Sequence, residues 1–180
     1  MLRDVWAVVN SCSSARPMLA SGAEGNYPIS VPAANVWPQM GQDLGARLES
    51  ILDRALTEAH SAIAVGADTP LLSVFHLKEA IASLQTYDAV LGPSADGGFY
   101  LIGLTRCPAG LFSDLPWSTD QTVGAMRVRL LSSGFNISEL GELSDVDTPQ
   151  DIRNLANTMA RLPRDVAPAT RAWLSVLRCV

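Results

Sequence analysis

The chain has 180 residues, 48% hydrophobic and 17% charged, which is one domain's worth of sequence with enough apolar material for a core and too little charge for a disordered chain. Its longest apolar runs, such as 62–67, fall far short of the ~18–20 residues of a membrane-spanning helix, and the residues after Met1 are too few and too polar for a signal peptide, so a cytoplasmic protein without a membrane span is expected. Residues 1–152 hold eight Lys and Arg against seventeen Asp and Glu, while 153–180 hold five Arg against Asp165; this acidic body argues against nucleic-acid binding and suits a cation binder.

Taken in chain order, Val5-Trp-Ala-Val-Val9 reads as a short strand. Residues 11–42 are rich in Ser, Gly, Pro and Ala, and predict loops with one short strand over 27–31. From Asp43, a plausible N-cap, Leu44, Leu48, Ile51, Leu52, Ala55 and Leu56 recur at helical spacing. A buried strand over 61–65 ends in Gly66-Ala-Asp-Thr-Pro70, and a helix follows over 74–84. Strands over 89–91 and 99–103 flank the tight Asp96-Gly97-Gly98 turn. A helix over 119–131, a strand over 137–143 and a helix from Thr148-Pro149 to about 161 complete the body. Strands alternating with such helices predict α/β layering: three layers around a mainly parallel, mixed sheet. The domain is expected over 1–162, with a helical extension over 163–180 whose Trp173, Leu174 and Leu177 make an apolar face. Cys12, Cys107 and Cys179 lack the spacing of a zinc site or disulfide framework and read as buried free thiols.

The acids fall where chemistry is expected. Ligands of an open parallel sheet bind beyond the carboxyl ends of its strands, and Asp68, Asp96, Asp145 and Asp147 all follow predicted strands. Oxygen donors of this kind hold Mg²⁺ or Mn²⁺, which share remaining positions with substrate phosphates. Each acid also has an ordinary structural role open to it. Asp68 before Thr69-Pro70 suits a turn, Asp147-Thr148-Pro149 suits a helix start, Asp151 suits the first turn of a helix, and Asp96-Gly97-Gly98 suits a hairpin.

Four blocks carry a resemblance: Gly66-Ala-Asp-Thr-Pro70, the run 90–104 containing Gly-Pro-Ser-Ala-Asp-Gly-Gly-Phe-Tyr, the run 111–119 ending in Pro-Trp-Ser-Thr, and Asp145-Val-Asp-Thr-Pro-Gln-Asp151. With Gln42-Asp-Leu-Gly-Ala-Arg-Leu48, they resemble an uncharacterised bacterial family of glycosyltransferase A type, related to the nucleotidyltransferases that make molybdopterin-guanine dinucleotide. The resemblance spans roughly 37–160 and implies a nucleotide-diphospho-sugar transferase-like fold. It implies Mg²⁺ or Mn²⁺ as cofactor, with Asp68 and Asp147 as metal ligands and Asp68 and Asp96 as catalytic carboxylates. Arg47, Gly97, Gly98, Trp117, Ser118 and Thr119 are implied on the substrate side; from the residues alone, Trp117 suits core packing ahead of a ligand stack, and Arg47 suits either a phosphate contact or a helix surface. Members of that family open with a strand and a Pro-, Gly-, Lys-, Thr- and Arg-containing phosphate loop. Here Lys78 is the single lysine, 1–36 hold only Arg3 and Arg16 as basic residues, and 5–9 resembles the family's second strand. The expectation is therefore a chain shortened by one strand–loop–helix unit.

The functional expectation is a metal-dependent glycosyltransferase with a nucleotide-diphospho-sugar donor. The alternatives are nucleotidyl transfer from a nucleoside triphosphate and a fold-retaining binding module without catalysis, whether monomeric or a homo-oligomer.

Overall fold

The computed structural model describes residues 1–22 and 27–177, and it opens with a helix, α1 (Leu2–Ser11), where a strand is predicted. The reason lies one turn beyond the apolar run: Val5, Val8, Val9 and Cys12 recur at i, i+3, i+4 and i+7 and pack together into the core. Five consecutive apolar residues do not separate strand from buried helix. Residues 27–31 are not a strand either; the region instead forms two short parallel strands, β1 (Leu19–Ser21) and β2 (Val36–Pro38). The Arg54 guanidinium lies 4.1 Å from the centroid of the Trp37 ring in β2, tying this ribbon to the next helix. That helix, α2 (Leu44–Glu58), is capped by Asp43, whose side chain accepts from the Ala46 amide at 2.8 Å, as the sequence predicts.

The chain then lays down β3 (Ala62–Val65), α3 (Val74–Ser83), β4 (Ala89–Pro93), β5 (Phe99–Leu104), α4 (Thr122–Ser132), β6 (Ile137–Glu139), α5 (Pro149–Met159) and α6 (Pro168–Leu177). The four longer-range strands form one sheet in the order β3–β5–β4–β6. β4 and β6 pair in parallel, whereas β5 runs antiparallel to both β3 and β4. So β3, β4 and β6 point one way and only β5 returns: the sheet is mixed. Predicted helices over 119–131 and 149–161 begin and end within a few residues of α4 and α5; the strand predicted over 137–143 stops at Glu139, with one further bridge from Leu143 to Ser94.

Side-chain alternation gives the sheet two buried faces. Ala89, Leu91, Ile102 and Leu104 face Leu52 of α2 and Met126 and Leu130 of α4; Val90 and Leu101 face Leu77, Ala80 and Leu84 of the α3 side together with Val5 of α1. This is the expected three-layer α/β arrangement. Of the predicted buried thiols, Cys12 is buried and Cys107 half-buried, both free, while Cys179 lies outside the described residues.

Helix α6 packs on both α1 and α5. Its first turn is fastened by a residue 165 positions earlier: the buried Asp4 carboxylate accepts from the Ala169 amide at 2.9 Å and from the Thr170 amide and hydroxyl at 2.7 and 2.6 Å. A carboxylate at a helix N-terminus satisfies amides that have no partner within the helix and complements the helix dipole. Hydrogen bonds to charged groups are worth about 1.5–3 kcal/mol each, and truncation leaves buried donors unmet. Asp4→Ala is therefore expected to lower the unfolding free energy by about 2–3 kcal/mol in urea denaturation. An unchanged midpoint and slope would show that the α1–α6 clasp carries no stability.

Candidate metal centre at the strand ends

The common direction of β3, β4 and β6 sends the chain out at one rim after each of them. The Gly66–Pro70 turn leaves β3, the 94–98 turn leaves β4, and the 140–147 segment leaves β6. Each carries acid. One carboxylate oxygen from each of Asp96, Asp145 and Asp147 lies within 4.8 Å of the others, a spacing from which a single ion can be shared. Asp68 is outside that set, yet close enough that its charge raises the carboxyl pKa of both Asp145 and Asp147.

Local folding aims these groups. Asp96 Oδ1 accepts from the Ser94 hydroxyl at 2.7 Å and the Gly98 amide at 2.8 Å, so the turn itself orients the carboxylate. Gly97 has φ 90°, and a Cβ there would overlap the backbone of Asp120; its carbonyl accepts from the Val123 amide at 2.8 Å, which docks the turn against the start of α4. On the other arm Val146 packs into the α5–α6 cluster while its neighbours Asp145 and Asp147 come together beside Asp96. Thr148 and Asp151 close a reciprocal capping box at the start of α5. Asp151 is thereby a helix-start residue, its carboxyl held low by the Thr148 hydroxyl and amide.

Like charge gathers at this rim. Burial raises the Asp145 carboxyl, with Asp96, Asp147 and Asp68 adding to it; burial, Asp68, Asp96 and Asp151 raise Asp147. The salt bridges among the described residues, Arg16–Glu58 and Arg127–Glu139, lie elsewhere, and neither neutralises the cluster. Beside Asp68 the Thr69 hydroxyl, in a residue 1% exposed, has no hydrogen-bond partner; it and Asp68 Oδ1 both approach Gly66, at 3.7 and 2.7 Å from where a Cβ would stand. A set of hard oxygen donors such as the three clustered carboxylates fits Mg²⁺ or Mn²⁺ and does not fit a soft metal.

The other predicted site residues are placed as follows. Gly97 and Gly98 belong to the Asp96 turn. Trp117 is half-buried among core rings, edge-on to Phe99 at 5.9 Å and stacked on Phe112 at 6.4 Å, which is a packing role. Ser118, with φ 59°, and Thr119 are exposed in the turn before α4, where the Thr119 hydroxyl donates to the Pro116 carbonyl at 2.7 Å. Arg47 is exposed on the first turn of α2 and donates from Nε to the Gly41 carbonyl at 3.1 Å. Asp145, which the sequence places among the strand-end acids but outside the predicted ligand pair of Asp68 and Asp147, joins Asp96 and Asp147 in the cluster. The signal for it is the Asp-Val-Asp alternation. Burial, Glu49 and Asp53 push the half-buried Cys107 thiol up to about 12, away from a reactive thiolate.

The three-layer mixed sheet has the α/β fold of the nucleotide-diphospho-sugar transferase type. The chain belongs to the bacterial family described as "Uncharacterized protein conserved in bacteria (DUF2064)", whose model matches residues 8–119. Among solved structures, a protein of Desulfovibrio desulfuricans G20, provisionally assigned as a nucleotide-diphospho-sugar transferase, superposes with a TM-score of 0.83 at 22% identity, over 98% of this chain and 81% of that one. A CMP:2-keto-3-deoxy-manno-octonic acid synthetase in complex with CTP superposes with a TM-score of 0.59 at 14% identity, over 89% of this chain and 87% of that one. Comparison with curated proteins finds no matching sequence.

Raised carboxyls have a pH signature. Between its unfolded and folded pKa, each of Asp145 and Asp147 binds more proton in the folded than in the unfolded state, so the cluster's cost to stability grows as pH rises through the carboxylate range and is complete at neutral pH. Asp145→Asn removes part of that repulsion. By calorimetry in the presence of a chelator, the variant is expected to melt about 1–3 °C above the wild type at pH 7, with the difference shrinking toward pH 4. A lower melting temperature at pH 7 would contradict mutual repulsion in the cluster.

Proposed function

We propose that the protein is a metal-dependent glycosyltransferase that takes a nucleotide-diphospho-sugar as donor. The observation that carries the reading is the meeting of Asp96, Asp145 and Asp147 within 4.8 Å at the strand-end rim, with Asp68 adding its charge. In this reading Asp96, Asp145 and Asp147 hold Mg²⁺ or Mn²⁺, which when bound neutralises the diphosphate leaving group. The remaining work falls to the chain. The Ser94 and Gly98 hydrogen bonds fix Asp96, and the Val146 anchor fixes Asp145 and Asp147, so the carboxylates need no rearrangement when donor arrives. Asp68, exposed at the same rim, accepts the proton of the acceptor hydroxyl. The acceptor oxygen bonds to the sugar's anomeric carbon as the bond from that carbon to the diphosphate oxygen breaks, and the electron pair leaves with the nucleoside diphosphate.

A second reading, nucleotidyl transfer, is favoured by one observation: the likeness to a synthetase whose structure holds CTP. There the acceptor attacks the α-phosphorus of a nucleoside triphosphate and pyrophosphate departs. The released product separates the two.

Thermal shift with Mn²⁺ and a panel of nucleotide sugars and nucleoside triphosphates tests both. A donor near 100 times its Kd is expected to stabilise the protein by about 2.7 kcal/mol, only with metal present, and Asp147→Ala is expected to abolish the effect. Release of nucleoside diphosphate supports glycosyl transfer, and release of pyrophosphate supports the second reading. No metal-dependent shift with any donor would overturn both.

A further inference from the structure

Tyr100 lies at the junction of all three acid-bearing loops, and its position there depends on an irregularity in β5. In the β4–β5 ladder Gly92 pairs with Leu101 but Pro93 pairs with Phe99, so Tyr100 is an extra residue opposite no partner. Such a bulge flips the alternation. Without it Tyr100 would share the face of Ile102 and Leu104; with it, the ring sits on the opposite face beside Leu77 and Leu101. The ring also needs a glycine beneath it: a Cβ on Gly92 would stand 2.5 Å from the ring's Cζ.

From that position Tyr100 bonds to two arms of the site and packs on the strand that leads into the third. Its carbonyl accepts from the Gly66 amide at 2.9 Å, holding the turn that carries Asp68. Its ring is edge-on to His76, 6.2 Å between centroids, in the first turns of the helix that follows Asp68. It crosses Gly92 two residues before Ser94, the residue whose hydroxyl orients Asp96. Its hydroxyl donates to the Gly141 carbonyl at 3.0 Å, in the segment that leads to Asp145 and Asp147. The Asp96 turn and the 140–147 segment are also joined directly, the Ala95 amide donating to the Leu143 carbonyl at 3.0 Å and the Leu143 amide to the Pro93 carbonyl at 3.1 Å.

We infer that Tyr100 is the positioning residue of the metal centre: through its bulged backbone and its hydroxyl bond to Gly141 it sets the separation of the Asp68, Asp96 and Asp145–Asp147 loops, and so the size of cation the rim accepts. This rests on the metal-centre reading above, to which the unpartnered, buried Thr69 hydroxyl beside Asp68 adds a second observation. Tyr100 touches no reacting atom. Its effect is on selectivity, because Mg²⁺ requires near-octahedral geometry at short range whereas Ca²⁺ tolerates longer and irregular coordination.

Tyr100→Phe keeps the ring and deletes the hydroxyl. Dissociation constants for Mg²⁺, Mn²⁺ and Ca²⁺ are measured by calorimetric titration of the folded protein without nucleotide. Mg²⁺ and Mn²⁺ are expected to bind about tenfold more weakly, the scale of an outer-shell loss, while Ca²⁺ changes by less than about twofold. Thr105→Val, which removes a hydroxyl bond to the Asp88 carbonyl at the far end of the sheet, is expected to leave all three constants unchanged. Gly92→Ala, which displaces the ring while keeping the hydroxyl, is expected to reproduce the selectivity loss. Equal weakening of all three cations, or none, in Tyr100→Phe overturns the inference; if Asp147→Ala still abolishes binding, the metal-centre reading survives it. A wild type that binds no divalent cation overturns both.

Discussion

The direction of four short strands is the constraint from which the rest follows. β3, β4 and β6 run the same way and β5 runs back between β3 and β4. Three chain exits therefore share one rim. The reversal at β5 needs a tight turn directly after β4, and that turn is the one that carries Asp96. Had β5 been a fourth parallel strand, a long crossover would have taken its place and Asp96 would have no fixed relation to Asp145 and Asp147.

Bringing acids together is costly, and the structure shows where that cost is held. Asp145 and Asp147 have raised carboxyl pKa values because burial and their neighbours oppose ionisation. Firm packing around the rim keeps them from swinging apart. Val146 is anchored in the α5–α6 cluster, that cluster is completed by α6, and α6 is fastened to α1 by Asp4. Glu49 accepts from the Gly110 and Phe112 amides and Arg129 donates to the Gly110 carbonyl, fixing the long 105–121 connection behind the Asp96 turn. Strain of this kind, sustained by structure away from the site, is what a ligand-binding centre is expected to show.

Much of this was legible in the residues. Local signals with a single physical reading transferred directly: Asp43 as the cap of α2, Thr148-Pro149 with Asp151 as the start of α5, and the turn residues around Asp96. Acids placed after strands located the rim. What failed were readings that depend on partners distant in sequence. The run 5–9 is short enough to be strand or helix, and only Cys12 completes the helical stripe that packs against α3. Residues 27–31 have strand-like composition, but β1 and β2 pair with each other instead. Trp117, for which packing is the reading the residues alone favour, lies against Phe99 of β5 and Phe112 of its own connection. The bulge at Tyr100 has no sequence signature beyond Gly92 on the neighbouring strand, a residue that takes its meaning only once the two strands are in register.

The central claim is that Asp96, Asp145 and Asp147 hold a divalent cation at the rim where β3, β4 and β6 end. Diffraction from crystals soaked in Mn²⁺, recorded near the manganese absorption edge, tests it most directly. The account predicts one anomalous peak within coordination distance of oxygens from those three carboxylates, absent from crystals of Asp147→Ala. A peak elsewhere on the molecule, or an empty rim at millimolar Mn²⁺, would contradict it.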